Sequence, residues 1–392
     1  DNFYTPANGE FYSSFKYHHL ERHQQEIRLL RLLPDSRSVL REVELLDCIP
    51  LAEAQGKYSA ISYCAGDPHR TRVITVNGIP FNIFANLGEA LDEVCHFWVE
   101  NHADEDLLVW VDQICINQSD FQERSHQVGF MQSIYHNAEQ VFVCPSSDPS
   151  TGSGIYWLQR LHDDLMSNCS MQYASKKLPL DAEQLFTHFD KLSKRDDFQE
   201  GLPGFLNLIR AEWFRRAWVY QEFIVSSHTH FLCGRQSISW SILSTIFEFL
   251  FSTRQIPEMV NLWDEFVRMV PGIQEIASSE DTQKAVSSAL FFVKSKAEWS
   301  GTADLKDLLN HARSCSSSDP RDRIYAFLGL ADPKYMIEPD YSPQTTFADV
   351  LADTTRKIIV YENRLDVLLY ATLGHRPHHS QIPSWVVDWA GT

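Results

Sequence analysis

Several stretches of the chain carry strand patterns, and between them the apolar positions move to helical spacing. LLVWV (107–111) and VFVC (141–144) are unbroken apolar runs of strand length, as in strands buried on both faces. YSAISYC (58–64) alternates and then stops at a Gly-Asp-Pro turn. IRLLRLLP (27–34) is a short apolar strand closed by proline, and VITVNGIPFNI (73–83) is a hairpin around Asn77-Gly78. Helical spacing begins at Asn86 with Leu87, Ala90, Leu91, Val94 and Cys95. A second helix is expected from Asp120 and Glu123, which have capping-box spacing, through Val128, Met131, Ile134, Tyr135 and Ala138. Strand, helix, strand, helix, strand in this order predicts an α/β fold. The strands near 58–63, 107–111 and 140–144 are expected to be parallel and adjacent, with helices flanking the sheet.

The same pattern divides the chain. Residues 1–26 lack periodicity and read as an arm. The α/β domain runs over 27–240, interrupted at 146–203 by a polar, irregular insertion or cap. Residues 241–392 form a mostly helical C-terminal extension with a turn-rich DPRDRIYAFLGLADP (319–333) and a final PSWVVDW (383–389).

Composition narrows the function. Asp and Glu number 52 against 34 Lys and Arg, a formal charge of −18. Such a surface repels phosphate backbones and anionic lipid heads, so neither nucleic acid nor a membrane is an expected partner. Eight cysteines, at 48, 64, 95, 115, 144, 169, 233 and 315, form no CxxC pair, which points to a reducing, cytoplasmic setting rather than a disulfide framework. No run reaches membrane-span length and the first residues are polar, so neither a span nor a signal peptide is expected. His19 and His23 at i,i+4 spacing and HRPHH (375–379) lack further ligands, and no metal site is expected. Cys115 reads as packed core despite His126 nearby. The absence of GxGxxG and GxxxxGK[ST] removes the usual dinucleotide and P-loop fingerprints.

Open α/β sheets bind ligands at the C-terminal ends of their strands. Two such ends carry chemistry: SYCAGDP, with Ser62, Tyr63, Cys64, Gly66 and Asp67, and WVDQICINQ, with Asp112, Gln113 and Asn117. Read alone, Gly66-Asp67-Pro68 is equally a plain turn and Asp112 equally a cap. The third feature is WFRRAWVYQEFIV (213–225), which carries Glu222 into an apolar run. A buried carboxylate costs several kcal/mol unless it is paired or functional. Arg215 and Arg216 offer a structural salt bridge, and catalysis is the alternative.

Three blocks, YSAISYCAGDP, LLVWVDQICINQSDFQERSHQVGFMQSIYHNAEQVFV and WFRRAWVYQE, resemble those of the fungal heterokaryon-incompatibility (HET) domain. DPRDRIYAFLGL, PDYS (339–342) and IPSWVVDW resemble the tail that follows them. The family usually has Trp where this chain has Ala65. HET domains are in turn similar to Toll/interleukin-1 receptor (TIR) domains. That resemblance implies a flavodoxin-like parallel sheet and a Trp-x-x-x-Glu helix, here Trp218 and Glu222, whose Glu is catalytic in the members that cleave NAD.

The implied function is fungal non-self recognition and regulated cell death, through hydrolysis of the nicotinamide–ribose bond of NAD as substrate, without a further cofactor. Self-association is expected, and the insertion is a candidate lid or partner surface. Two rivals remain: a non-catalytic assembly module, and a HET-like fold recruited to other small-molecule metabolism.

Overall fold

The computed structural model describes residues 8–32, 42–102, 105–148, 150–168, 191, 194–251, 279–372 and 382–390. HRPHH (375–379) and most of 169–193 lie outside the described residues. The chain packs as two units. The first comprises Asp1–Val141, Arg215–Ser227 and Glu298–Thr392, and the second Phe142–Phe214 and His228–Ala297.

In the first unit, six strands run in the order β5-β4-β2-β1-β6-β3. They are β1 (Glu26–Leu32), β2 (Glu42–Pro50), β3 (Ser59–Tyr63), β4 (Thr71–Val76), β5 (Ile79–Phe84) and β6 (Leu107–Trp110). Strands β3 and β6 are parallel neighbours, as the sequence pattern predicts, with Ser59 opposite Val109. The start of the next strand, β7 (Gln140–Cys144), lies beside β3, because Glu139 N–H donates to the Tyr58 carbonyl. The rest of the sheet corrects the expectation of a parallel one. β1 is antiparallel to both β2 and β6, and β4 to β5; β2 and β4 pair in parallel. A parallel connection needs a crossover of about a dozen residues or more, and the chain between β1 and β2 is shorter than that. The β4–β5 link is the expected Asn77-Gly78 turn, with both residues at positive φ. Strand β2 escaped the sequence reading, although EVELLDCIP has strand length.

Helix α1 (Gly9–Ser14) precedes these strands, α2 (Leu51–Ala54) and α3 (Ala85–Asn101) lie between them, and α4 (Asp112–Cys115) follows β6. The single helix expected over 120–138 is two, α5 (Phe121–Gly129) and α6 (Met131–Asn137), broken at Phe130. Asp120 caps α5 by accepting from Gln122 N and Glu123 N. Glu123 does not complete a capping box, because its carboxylate is held by Arg28.

Arg28 sits in β1 with no exposed surface. Its Nε donates to Asp47 Oδ1 at 2.8 Å, and its Nη1 and Nη2 to the Glu123 carboxylate at 2.6 and 3.1 Å. It also donates to the carbonyls of Cys115 (3.0 Å) and His18 (2.6 Å), and lies over the Tyr17 ring at 4.6 Å. Burial works against its charge, and Glu123 and Asp47 more than offset that. The arm is tied down at two further points: Asn8 exchanges two hydrogen bonds with the Asn82 backbone, and Tyr17 OH donates to the Ile114 carbonyl.

The first unit ends with α12 (Leu305–Ala312), α13 (Asp322–Leu328) and α14 (Phe347–Glu362). It also contains α9 (Val219–Ile224), all six residues of which are buried.

The second unit holds α7 (Ser150–Asn168), α8 (Asp196–Arg210), β8 (Thr229–Cys233), β9 (Gln236–Ser239), α10 (Trp240–Phe251) and α11 (Glu280–Ala297). Helices α7 and α8 meet at Gly154 and Gly204, where a Cβ on either would strike the other's backbone. Trp157 stacks on Phe205 beside them, ring centres 5.2 Å apart. The part of the predicted irregular insertion that is described is therefore largely helical.

Replacing Arg28 by Met keeps the apolar stem and strands Glu123 and Asp47. Urea denaturation at neutral pH should show a loss of about 3–5 kcal/mol. A loss below about 1 kcal/mol would mean that the network is a bystander.

Candidate functional site

The site grows from the C-terminal ends of the parallel pair β3 and β6. Ser62 and Tyr63 close β3; Asp112 follows β6 as the first residue of α4. Tyr63 OH donates to Asp112 Oδ1 at 3.2 Å, and the same oxygen accepts from Gln113 N at 2.7 Å. Glu222 enters from α9, only 6% exposed. Its Oε2 accepts a short hydrogen bond from the fully buried Ser62 hydroxyl. Arg216, half-buried, donates through Nη1 to the Tyr63 carbonyl. The approach to α9 is pinned by residue 316: Ser316 N donates to the Arg215 carbonyl, and Ala217 N to the Ser316 carbonyl.

Charge in this cluster is unevenly placed. Burial pushes the Glu222 carboxyl from the ordinary 4.5 to about 7, against the pull of the Arg216 charge and the Ser62 hydrogen bond, with Asp112 adding a further push. Burial likewise raises Asp112, again opposed by Arg216. Tyr63 and Tyr135 are raised well above the phenol range, chiefly by burial, and stay neutral. Tyr135, from α6, donates to the Ile61 carbonyl at 3.0 Å and packs edge-on to Trp110. Sequence reasoning did not mark Tyr135, and nothing in its helical spacing separates it from ordinary core.

Other predicted site residues do different work. Gly66 takes φ of +74°, and a Cβ there would collide with the Asn86 side chain, which donates to the Cys64 carbonyl at 3.0 Å. Asp67 is exposed and accepts from His69 N in the turn. The burial of Gln113 serves β5, its Oε1 accepting from Phe84 N at 3.1 Å. Asn117 folds the 117–120 turn by accepting from Ser119, and its own N–H goes to Glu123. Cys64 borders Arg216, half-buried. Trp218 lies one turn before Glu222, whose N–H its carbonyl accepts at 3.3 Å, and its side chain neighbours Asp322. The cluster brought together by contact is thus Ser62, Tyr63, Asp112 and Glu222, with Arg216 alongside.

Among the described residues no three His, Cys, Asp or Glu side chains are arranged to hold a metal, and no helix is long and apolar enough to cross a membrane. A separate open groove of about 730 Å³, between α5 and residues 338–342, contains none of the residues above.

The architecture is mixed α/β, with buried Glu222 and half-buried Asp112 near the C-terminal ends of a parallel strand pair. Residues 58–222 match the model of the family described as Heterokaryon incompatibility protein (HET), and that part of the chain is similar to this family. It is similar to "Heterokaryon incompatibility protein 6, OR allele" of Neurospora crassa, 28% identical over 93% of this chain. The chain spans 58% of that relative's length. No solved structure matches it.

The raised Glu222 carboxyl gives a stability prediction of definite sign. A folded-state pKa above the unfolded one favours the folded state at low pH, and this contribution is lost as pH rises from about 4.5 through about 7. The loss amounts to about 3 kcal/mol. Glu222→Gln should therefore match wild type at pH 4.5 and exceed it in denaturant midpoint at pH 8. A structural salt bridge to Arg215 or Arg216 requires the reverse, a variant less stable at pH 8.

Proposed function

We propose that this chain serves fungal non-self recognition as an enzyme, hydrolysing the nicotinamide–ribose bond of NAD at Glu222. The family and the Neurospora relative support the biological role. The enzymatic reading is carried by one observation: a buried carboxylate at the junction of two strand ends, held by Ser62, with Arg216 and a second carboxylate beside it. The TIR-like resemblance of the Trp218–Glu222 helix supports the same reading.

The chemistry suits the groups. Breaking the C1′–N bond sends its electron pair to nicotinamide, which leaves neutral, and positive charge spreads over C1′ and the ring oxygen. Glycoside cleavage passes through the same kind of oxocarbenium state. An ionised Glu222 in a water-poor wall stabilises that charge far more than it would in bulk water. Water then attacks C1′ and loses a proton, giving ADP-ribose. The neutral Tyr63 hydroxyl orients Asp112, and the two carboxylates are available to the ribose hydroxyls and the attacking water. Because the ionised form is the active one, kcat/KM should rise with pH through about 7.

Nicotinamide release from NAD tests this directly. Glu222→Gln should lower it about a hundred- to thousand-fold, with no fall in melting temperature. Ala65→Trp, which restores the residue usual in the family, should raise it. Specific activity should climb with protein concentration if self-association completes the site. No release by wild type, even when concentrated, would sink the enzymatic reading and leave the non-catalytic assembly module.

A further inference from the structure

Three successive residues of α9 meet three different neighbours, because each step along a helix turns about 100°. Glu222 meets Ser62 at the end of β3. Gln221, 1% exposed, lies against Gly329, where a Cβ would strike its side chain. Tyr220 is fully buried and about 200° round the axis from Glu222, on the opposite face. Its hydroxyl and Nε2 of His311, from α12, share a short hydrogen bond. The two rings pack edge-on with centres 4.7 Å apart, and the Phe327 ring of α13 is 5.3 Å from that of Tyr220. His311 is itself firmly seated. Asp304 caps α12 by accepting from Lys306 N and Asp307 N, and Lys306 pairs with Glu362 of α14. The His311 carbonyl accepts from Ser314 N at 3.0 Å and from Ser314 Oγ at 2.7 Å. Burial pushes the imidazole down to about 4 and the Tyr220 hydroxyl well above the phenol range, so the pair is uncharged near neutral pH.

We propose that His311 is a positioning residue, which by holding the Tyr220 hydroxyl fixes the rotation of α9 and thereby the seat of the Glu222 carboxylate against Ser62. This rests on the reading of Glu222 as the reacting group. A six-residue helix has too few internal hydrogen bonds to hold its own axis. Anchors on opposite faces supply what it lacks, since a turn of the helix that breaks one bond carries the other group off its partner. A buried phenol and a buried imidazole are each costly when unpaired, which favours the seated rotation over its neighbours. His311 lies beyond the matched residues 58–222, so the tail takes part in the site it follows.

Three variants separate anchoring from mere packing. Tyr220→Phe keeps the ring and removes the hydroxyl. His311→Leu removes the imidazole at similar bulk, and His311→Gln keeps a polar group near the Nε2 position. The readout independent of catalysis is the titration of Glu222, measured as the pH dependence of the stability difference between each protein and its Glu222→Gln counterpart. The groups facing Glu222, which are Arg216, Asp112, Ser62, Tyr63 and Tyr135, are unchanged in all three.

Tyr220→Phe and His311→Leu should each move the Glu222 midpoint toward the ordinary carboxylate value by about half a pH unit or more, as its enclosure loosens. The kcat for nicotinamide release should fall about 10- to 100-fold while KM stays within about 2-fold. The two changes combined should do little more than either alone, and His311→Gln should recover most of the loss. An unmoved midpoint in Tyr220→Phe, or fully additive losses, overturns the proposal and leaves His311 as packing. Should His311→Leu fail to fold, Tyr220→Phe decides the question alone. A shifted midpoint in a protein that never releases nicotinamide would uphold the anchor and defeat the enzymatic reading.

Discussion

The guanidinium of Arg28 is the constraint on which the first unit turns. One side chain on β1 holds β2 through Asp47, α5 through Glu123, the end of α4 through the Cys115 carbonyl and the arm through the His18 carbonyl. A fully buried arginine is favourable only if nearly all its N–H groups are paired and its charge is met. Here both conditions hold, because two carboxylates and two carbonyls converge on it. Glu123 extends the grip by accepting the Asn117 N–H as well, so the loop running from Asp112 to Asn117 is fixed at both ends. The far end of the segment that begins at Asp112 is therefore held by a cation on β1, the strand beside β6, that never reaches the site.

The second organising fact is the parallel register of β3 and β6. It puts the ends of both strands at one edge, where Tyr63 OH reaches Asp112 and Ser62 reaches Glu222. Gly66 lets the chain leave β3 tightly beneath Asn86, which keeps the SYCAGD turn close to the helix start. Arg216 bonds the Tyr63 carbonyl at the same edge and offsets part of the cost of burying Glu222 and half-burying Asp112 without pairing fully with either.

Much of this was legible in the chain, for identifiable reasons. The unbroken runs LLVWV and VFVC, the Asn77-Gly78 turn and the apolar spacing after Asn86 carry local signals strong enough to survive without tertiary context. Glu222 announced itself as a charge in an apolar run, and the SYC and VD strand ends as polar groups after buried strands. What stayed hidden depends on partners far along the chain. The antiparallel insertion of β1 beside β6 leaves no trace in the periodicity of either strand. Arg28 reads as one polar residue in IRLLRLL until Asp47 and Glu123 are seen around it. Trp218 carries a family motif, yet its side chain neighbours Asp322, more than a hundred residues away in sequence. Asn117 and Gln113 have the right neighbourhood in sequence, and each also does structural work, in a turn and at a β5 backbone amide.

The remaining question is why a domain should keep Glu222 charged where it is. Burial raises its pKa to about 7, so near neutral pH the folded state carries a carboxylate that favours its protonated form. An amide of the same shape would satisfy Ser62 and cost less to bury. Nor does Arg216 redeem the cost, since its donated hydrogen bond goes to the Tyr63 carbonyl and its charge only moderates the penalty. Arg28 shows what this fold does with a buried ion that serves structure: two opposing charges and two carbonyls surround it. Glu222 lacks that enclosure and is left with one hydroxyl, a poised pKa and a second carboxylate nearby. A charge held this way is poorly arranged for stability, and that is the physical ground on which the catalytic proposal for Glu222 rests.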